Sequence, residues 1–225
     1  MFLFIIIFKT FPNTHRCLFK IQVNMSNNNN SIITTINPAN GKKLKDYQLM
    51  TNGECNQAIE ACHEAFTSWR FTSHKERADK IAAIGEALQA NKDNLVEIMV
   101  NEMGKLKRHA ESEVDLCSAI CQYTAENGPE ELKDETRELP EGGRGQVSYS
   151  PIGVVYGIQP WNFPIYQVIR YTIASLMAGN GVLLKHASSV TGSGHKLAEI
   201  LENSGLPKNL FTVLVINHDQ SDKVI

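Results

Sequence analysis

The chain has 225 residues, enough for one large domain or two small ones around a sizeable core. Its formal charge of −2 and pI near 6.4 remove any electrostatic case for a nucleic-acid or membrane-surface partner. The five cysteines (Cys17, Cys55, Cys62, Cys117 and Cys121) show no zinc-type spacing, so we expect no metal site and buried, reduced thiols in a cytosolic protein.

Met1 to Phe8 is strongly apolar but far short of the about 20 residues that span a bilayer, and no basic residue precedes it as in a secretory signal. Met25 opens a second, Asn-rich beginning. Residues 1–25 are therefore expected to be an extension outside the fold. An organellar transit peptide is the alternative, because no acidic residue precedes Asp46, although Ser and Arg are scarce. The expected location is cytoplasmic, with mitochondrial as the alternative.

Residues 26–135 are expected to form strands and helices. Ile32 to Ile36, a turn at Asn37-Pro38-Ala39-Asn40-Gly41 and the residues after it suggest two short strands. From Gly53, Ala58, Ile59, Cys62, Ala65, Phe66 and Trp69 recur at spacings of three and four, the stripe of an amphipathic helix. A second helix starts near Ser73 with Ala78, Ile81, Ala82 and Leu88 inward. A third carries Leu95, Ile98, Met99 and Met103 and stops at Gly104. A fourth is predicted over 105–126, with Val114, Cys117, Ile120, Cys121 and Tyr123 inward, closing at Gly128-Pro129. Residues 136–150, with Leu139-Pro140-Glu141-Gly142-Gly143, predict a hairpin leaving the body, whose open edge suits a partner subunit.

Residues 151–225 change regime. A β-branched and aromatic stretch over 147–158 leads into Pro160-Trp161-Asn162-Phe163-Pro164, and an apolar run without Gly or Pro follows over 165–178. Gly179-Asn180-Gly181 stops that helix, and Val182-Leu183-Leu184 is a second strand ending at Lys185. A loop over 186–189, a helix through Gly192 to Asn203 and a third strand over 210–216 complete the order strand, helix, strand, helix, strand. That order builds a parallel sheet with helices on its faces, the Rossmann-like α/β class. Ligands in such sheets lie beyond the carboxyl ends of the strands, where Asn162 and Lys185 fall, so both are expected to open onto one crevice. Residues 219–223 start another helix close to the last residue, as in a piece of a longer protein.

These motifs together resemble the aldehyde dehydrogenase superfamily, and within it the succinate-semialdehyde dehydrogenases, over roughly residues 32–225. Ile36-Asn37-Pro38-Ala39-Asn40-Gly41, Glu102-Met103-Gly104-Lys105, Pro160 to Pro164, and Leu183-Leu184-Lys185-His186-Ala187 fall in the family's order. The resemblance implies an incomplete aldehyde dehydrogenase fold and NAD- or NADP-dependent oxidation of a small aldehyde to its acid. In that chemistry a cysteine thiolate attacks the aldehyde, hydride passes to NAD(P)+, and a glutamate assists hydrolysis. Asn162 matches the amide that stabilises the developing oxyanion; on residues alone a helix N-cap is the favoured reading, and the matched Trp161, Pro160 and Pro164 turn it to the oxyanion role. Pro160 and Trp161 match residues beside the cofactor, and Lys185 matches the lysine on the adenosine ribose. Ser188 stands where NAD-preferring members often carry a glutamate, which allows NADP. Arg170, about two turns or roughly 12 Å past Asn162, matches an arginine that holds the substrate carboxylate; a structural salt bridge is the open alternative.

The resemblance also places the catalytic cysteine and glutamate later than Ile225, so the chain is expected to be inactive alone and poorly soluble. A homo-oligomer is implied for the full-length form. Two other readings stand beside this one. The first is a non-catalytic remnant that binds a nucleotide or pairs with a full-length relative. The second is an unrelated nucleotide-binding α/β domain.

Overall fold

The computed structural model describes residues 32–225; the expected extension over 1–25 and Cys17 lie outside the described residues. β1 (Ile32–Ile36) and β2 (Lys43–Gln48) pair as an antiparallel hairpin, bulged between Thr35 and Ile36. Four helices follow: α1 (Asn52–Trp69), α2 (His74–Ala90), α3 (Lys92–Met103) and α4 (Lys107–Glu131). α1 and α2 begin with capping boxes, Thr51 with Glu54 and Ser73 with Glu76, each satisfying two N–H groups that a helix start leaves free. α3 ends at Gly104 in the left-handed region (φ 69°), as predicted.

The fourth helix departs from expectation. It continues through Gly128 and Pro129 to Glu131, and Tyr123 is 60% exposed rather than inward. Gly128 is buried where α4 meets α5, and a Cβ there would lie 2.7 Å from Met177 Cγ. This glycine serves a close helix approach, which a sequence pattern does not distinguish from a helix stop.

β3 (Glu135–Glu138) and β4 (Arg144–Val147) form the expected antiparallel hairpin across a 3-10 turn at Pro140–Gly142. The predicted strand over 147–158 is broken, because β5 spans Val154–Gln159. Gly153, at φ 136°, and Ile152 donate their backbone N–H groups to Asn180 Oδ1 and so turn the chain into the sheet. After β5 come α5 (Tyr166–Met177), β6 (Gly181–His186), α6 (Thr191–Asn203), β7 (Phe211–Val213) and α7 (His218–Val224). β5, β6 and β7 are parallel neighbours in that order. His186, expected in a loop, is the last residue of β6, and β7 is shorter than predicted.

Side-chain alternation gives the sheet two apolar faces. Val182 and Leu184 join the larger core with α2, α4, α5 and α6, whereas Leu183 packs with Cys55, Cys62, Leu214 and Ile216 beneath α1. Each fully buried aliphatic side chain contributes about 1.5–3 kcal/mol, so these two faces carry most of the stability.

A buried arginine joins the helical segment to the sheet unit. Arg77 of α2 donates to Arg70 O and Thr72 Oγ1 beyond the end of α1, and to Met177 O at the end of α5. A cation there complements the negative ends of both helices. Gly179 makes room for it, since a Cβ would lie 2.6 Å from Arg77 Nη1.

Candidate functional site at the carboxyl rim of the sheet

Pro160 to Pro164 leaves β5 as a turn, and α5 starts at Tyr166 without a cap from its own preceding residues. Asn162 lies too early to cap it. The first N–H groups of α5, those of Ile165 and Tyr166, both donate to Glu113 Oε1 of α4 at 2.9 Å. The other oxygen of Glu113 is paired with Lys105 Nζ, and the two side chains are 1% and 7% exposed. The same ammonium donates to Asn162 O at 3.0 Å and lies 3.8 Å from the centroid of the Phe163 ring, a cation–π contact.

From the sheet side the turn is held by His186. Its Nδ1 accepts from Ala187 N at 3.1 Å, which leaves Nε2 as the N–H that donates to Pro164 O at 2.9 Å. Burial holds this imidazole below its ordinary pKa, in keeping with that neutral form. With its backbone fixed from both sides, Asn162 keeps a buried side-chain carbonyl oxygen that meets no hydrogen-bond partner among the described residues. Leaving a buried polar atom unpaired costs about 1–3 kcal/mol, so this oxygen is a group whose place the neighbouring side chains do not account for.

Lys185 is the second uncompensated group. It pairs in register with Ile158 of β5 and is 5% exposed, yet it has no hydrogen bond or ion pair among the described residues. Burial lowers its pKa, because desolvation penalises the ammonium. Alternation along β6 puts Lys185 on the same face as Leu183, opposite Leu184 and His186. Asn162 and Lys185 thus stand at the carboxyl ends of neighbouring parallel strands. Two clefts, of about 290 Å³ beside Tyr47 and Glu102 and about 490 Å³ beside Arg70 and Tyr149, lie elsewhere and are lined by neither residue.

The remaining candidates surround this rim. Pro160 and Trp161 are exposed in the turn, and Ser188 is exposed in the 3-10 turn after β6 (Ser188–Val190). Arg170 is exposed on α5, its guanidinium over the Tyr166 ring and its Nη1 3.5 Å from Tyr166 Oη. Tyr166 in turn meets Phe163 edge-on, so a line of contacts runs from Arg170 to the asparagine turn. The sequence reading assigned no part to Lys105, Glu113 or His186. The adjacency of His186 to Lys185 at a strand end was the available signal, because neighbours on a strand face opposite ways.

The start of α6 is closed. Glu102 of α3 accepts from Gly192 N, Ser193 N and Ser193 Oγ at 2.8–2.9 Å, and burial raises its pKa. A Cβ on Gly192 would lie 2.5 Å from Glu102 Oε1. Helix starts of this kind often bind phosphate, but here a protein carboxylate occupies the N–H groups. The described cysteines offer no ready nucleophile either. Cys62 and Cys121 are buried thiols pushed up to about 12, and burial raises Cys55 and Cys117 too. Among the described residues no cluster suits a metal ion, and no helix is long and apolar enough to cross a membrane.

Comparison with known proteins agrees with this geometry. Residues 24–225 match the aldehyde dehydrogenase family. The chain is 34% identical over 191 residues to the NAD(P)+ succinate semialdehyde dehydrogenase of Escherichia coli K12, covering 85% of this chain and 41% of that one. It is 35% identical over 195 residues to an NADP(+) succinate-semialdehyde dehydrogenase of Mycobacterium tuberculosis H37Rv, covering 86% and 43%. The crystal structure of succinic semialdehyde dehydrogenase from Streptococcus pyogenes in complex with NADP+ superposes with a TM-score of 0.82 at 32% identity, over 85% of this chain and 42% of that one. The chain therefore spans about two fifths of the relatives it matches.

Proposed function

Since the chain belongs to the aldehyde dehydrogenase family, we propose that it supplies the oxyanion donor and the adenosine-side contacts for NAD(P)-dependent oxidation of a small aldehyde acid, of which succinate semialdehyde is the type. The observation that carries this reading is Lys185, a residue 5% exposed at the end of a central parallel strand, whose ammonium has no hydrogen bond or ion pair among the described residues. A group so placed fits the ribose hydroxyls of a dinucleotide, which would return the hydrogen bonds that burial removes. Ser188 adds no negative charge beside it, which favours a 2′-phosphate and so NADP over NAD. Trp161 and Pro160 offer exposed apolar surface on the same rim. The bound dinucleotide would supply the hydride acceptor.

Asn162 donates its side-chain N–H to the oxygen that becomes an oxyanion when the aldehyde carbon is attacked. Arg170 supplies the exposed fork that pairs with the carboxylate of the aldehyde acid. Among the described residues no thiol is placed to act as the nucleophile, because each is buried and burial holds it protonated. The polypeptide alone is therefore proposed to bind nucleotide without turning over aldehyde. Full catalysis would belong to a full-length oligomer, in a reducing compartment such as the cytoplasm. A subunit-pairing role gains support from the exposed hairpin, where Leu139, Val147 and Tyr149 stand in solvent.

Titration calorimetry with NADP+ and NAD+ tests the reading. We expect NADP+ binding that falls at least about tenfold, or about 1.4 kcal/mol, in Lys185→Met. Absence of binding to the native chain, or NADPH production from succinate semialdehyde by the 225-residue polypeptide, would overturn it.

A further inference from the structure

The reading of Asn162 as the oxyanion donor leaves open what keeps its amide available, and we propose that Lys105 and Glu113 are positioning residues for it. Capping α5 needs one carboxylate oxygen, and Glu113 Oε1 performs it by accepting from both Ile165 N and Tyr166 N. The second oxygen and the lysine are superfluous to the cap. Burying two charges costs several kcal/mol per ion in desolvation, and a well-packed apolar pair often serves stability as well. The lysine's remaining hydrogen bond explains its presence, since it ends on Asn162 O, ahead of the first helical N–H.

That bond fixes the orientation of the peptide plane after Asn162, and with it the direction in which the Asn162 side chain leaves the backbone. The ammonium is itself held from three sides: by Glu113 Oε2, by Asn162 O and by the Phe163 ring. Its attachment is equally constrained. Lys105 directly follows Gly104, whose left-handed conformation ends α3 and where a Cβ would lie 3.3 Å from Pro38 Cγ. The Asn162 side-chain oxygen stays without a partner among the described residues while the backbone oxygens of Asn162 and Pro164 on either side of Phe163 are engaged, as expected of a side chain kept for something outside the chain.

Nuclear magnetic resonance of the ¹⁵N-labelled 225-residue chain tests this without turnover. The side-chain NH2 signals of Asn162 are identified by their loss in Asn162→Ser. In Lys105→Met we expect those signals to shift or broaden away, while the amides of Ile165 and Tyr166 stay protected from hydrogen exchange by Glu113. Where Lys105→Met fails to fold, Glu113→Gln keeps an acceptor for both amides but breaks the ion pair, and the same change at Asn162 is expected. Unmoved Asn162 signals in the folded variant would overturn the positioning role. Adding succinate semialdehyde to the native chain separates the premise from the inference: an unresponsive Asn162 signal overturns the oxyanion reading, whereas the variant comparison alone decides the positioning.

Discussion

The starts of α5 and α6 are built alike and used differently. Each follows a parallel strand, each lacks a cap from its own sequence, and each is capped by a buried glutamate from the α3–α4 region, Glu113 and Glu102. At α6 the carboxylate meets two N–H groups and a hydroxyl, and the glycine beside it admits no side chain. At α5 the glutamate shares its charge with Lys105, and the turn ahead of the helix retains a side-chain oxygen, that of Asn162, without a partner among the described residues. Identical capping chemistry thus gives one end that is sealed and one that is primed. The Asn162 oxygen, without a partner among the described residues, distinguishes them.

The contrast is broken most severely at Glu113. Glu113→Ala strips the buried Lys105 of its partner and frees two α5 N–H groups, so we expect a loss of about 3–5 kcal/mol in urea unfolding. A loss below about 1 kcal/mol would show that the pair is not buried as described. At the sealed end the test is steric. Gly192→Ala forces a methyl group toward Glu102 Oε1 and Tyr47 Oη, at 2.5 and 2.6 Å, and should cost about 1–3 kcal/mol. Nucleotide affinity should be unchanged, because the α6 start plays no part in our reading of the site.

At the rim the expected sign reverses. Lys185→Met replaces an ammonium that has no partner among the described residues by an apolar chain of similar length. It should raise stability by about 1 kcal/mol, a figure discounted for the partly solvated charged end, while removing nucleotide binding. A destabilised Lys185→Met would mean that the ammonium is structural, and the proposed function would lose its main support.

The strand–helix alternation of residues 151–225 was legible because apolar periodicity and Gly/Pro punctuation are local signals, and the surface capping boxes of α1 and α2 are local too. The positions of Asn162 and Lys185 at strand ends were equally accessible. What holds them was not. Glu113 lies 52 residues from the N–H it caps and Glu102 lies 90 from Gly192, so nothing in the nearby sequence announces either bond. Gly128 misled for the related reason that a glycine required by a neighbouring helix looks like one required by a turn. Arg170 remained ambiguous in sequence, and the structure places its guanidinium exposed on α5 over the Tyr166 ring, which leaves both readings open.

The smallest expected effect is also the one that separates the two helix starts most cleanly, because their buried groups respond to pH in opposite senses. Glu102 has a folded pKa raised by burial, so its contribution to stability is complete below the ordinary carboxylate range and is lost as pH rises through the folded value. His186, which clamps the Asn162 turn, has a folded pKa lowered by burial. Its contribution is complete above the ordinary histidine value of about 6.5 and is lost as pH falls through the folded one. Melting temperatures of the native chain, Glu102→Gln and His186→Gln, measured from pH 4.5 to 8, should therefore diverge in opposite directions. The native chain should lose ground to Glu102→Gln as pH rises, and should lose ground to His186→Gln as pH falls. A native chain that instead gains on His186→Gln as pH falls would mean that the imidazole is charged in the fold. In that case Nδ1 would carry a proton, could not accept from Ala187, and would donate to Gln159 O at 3.3 Å instead.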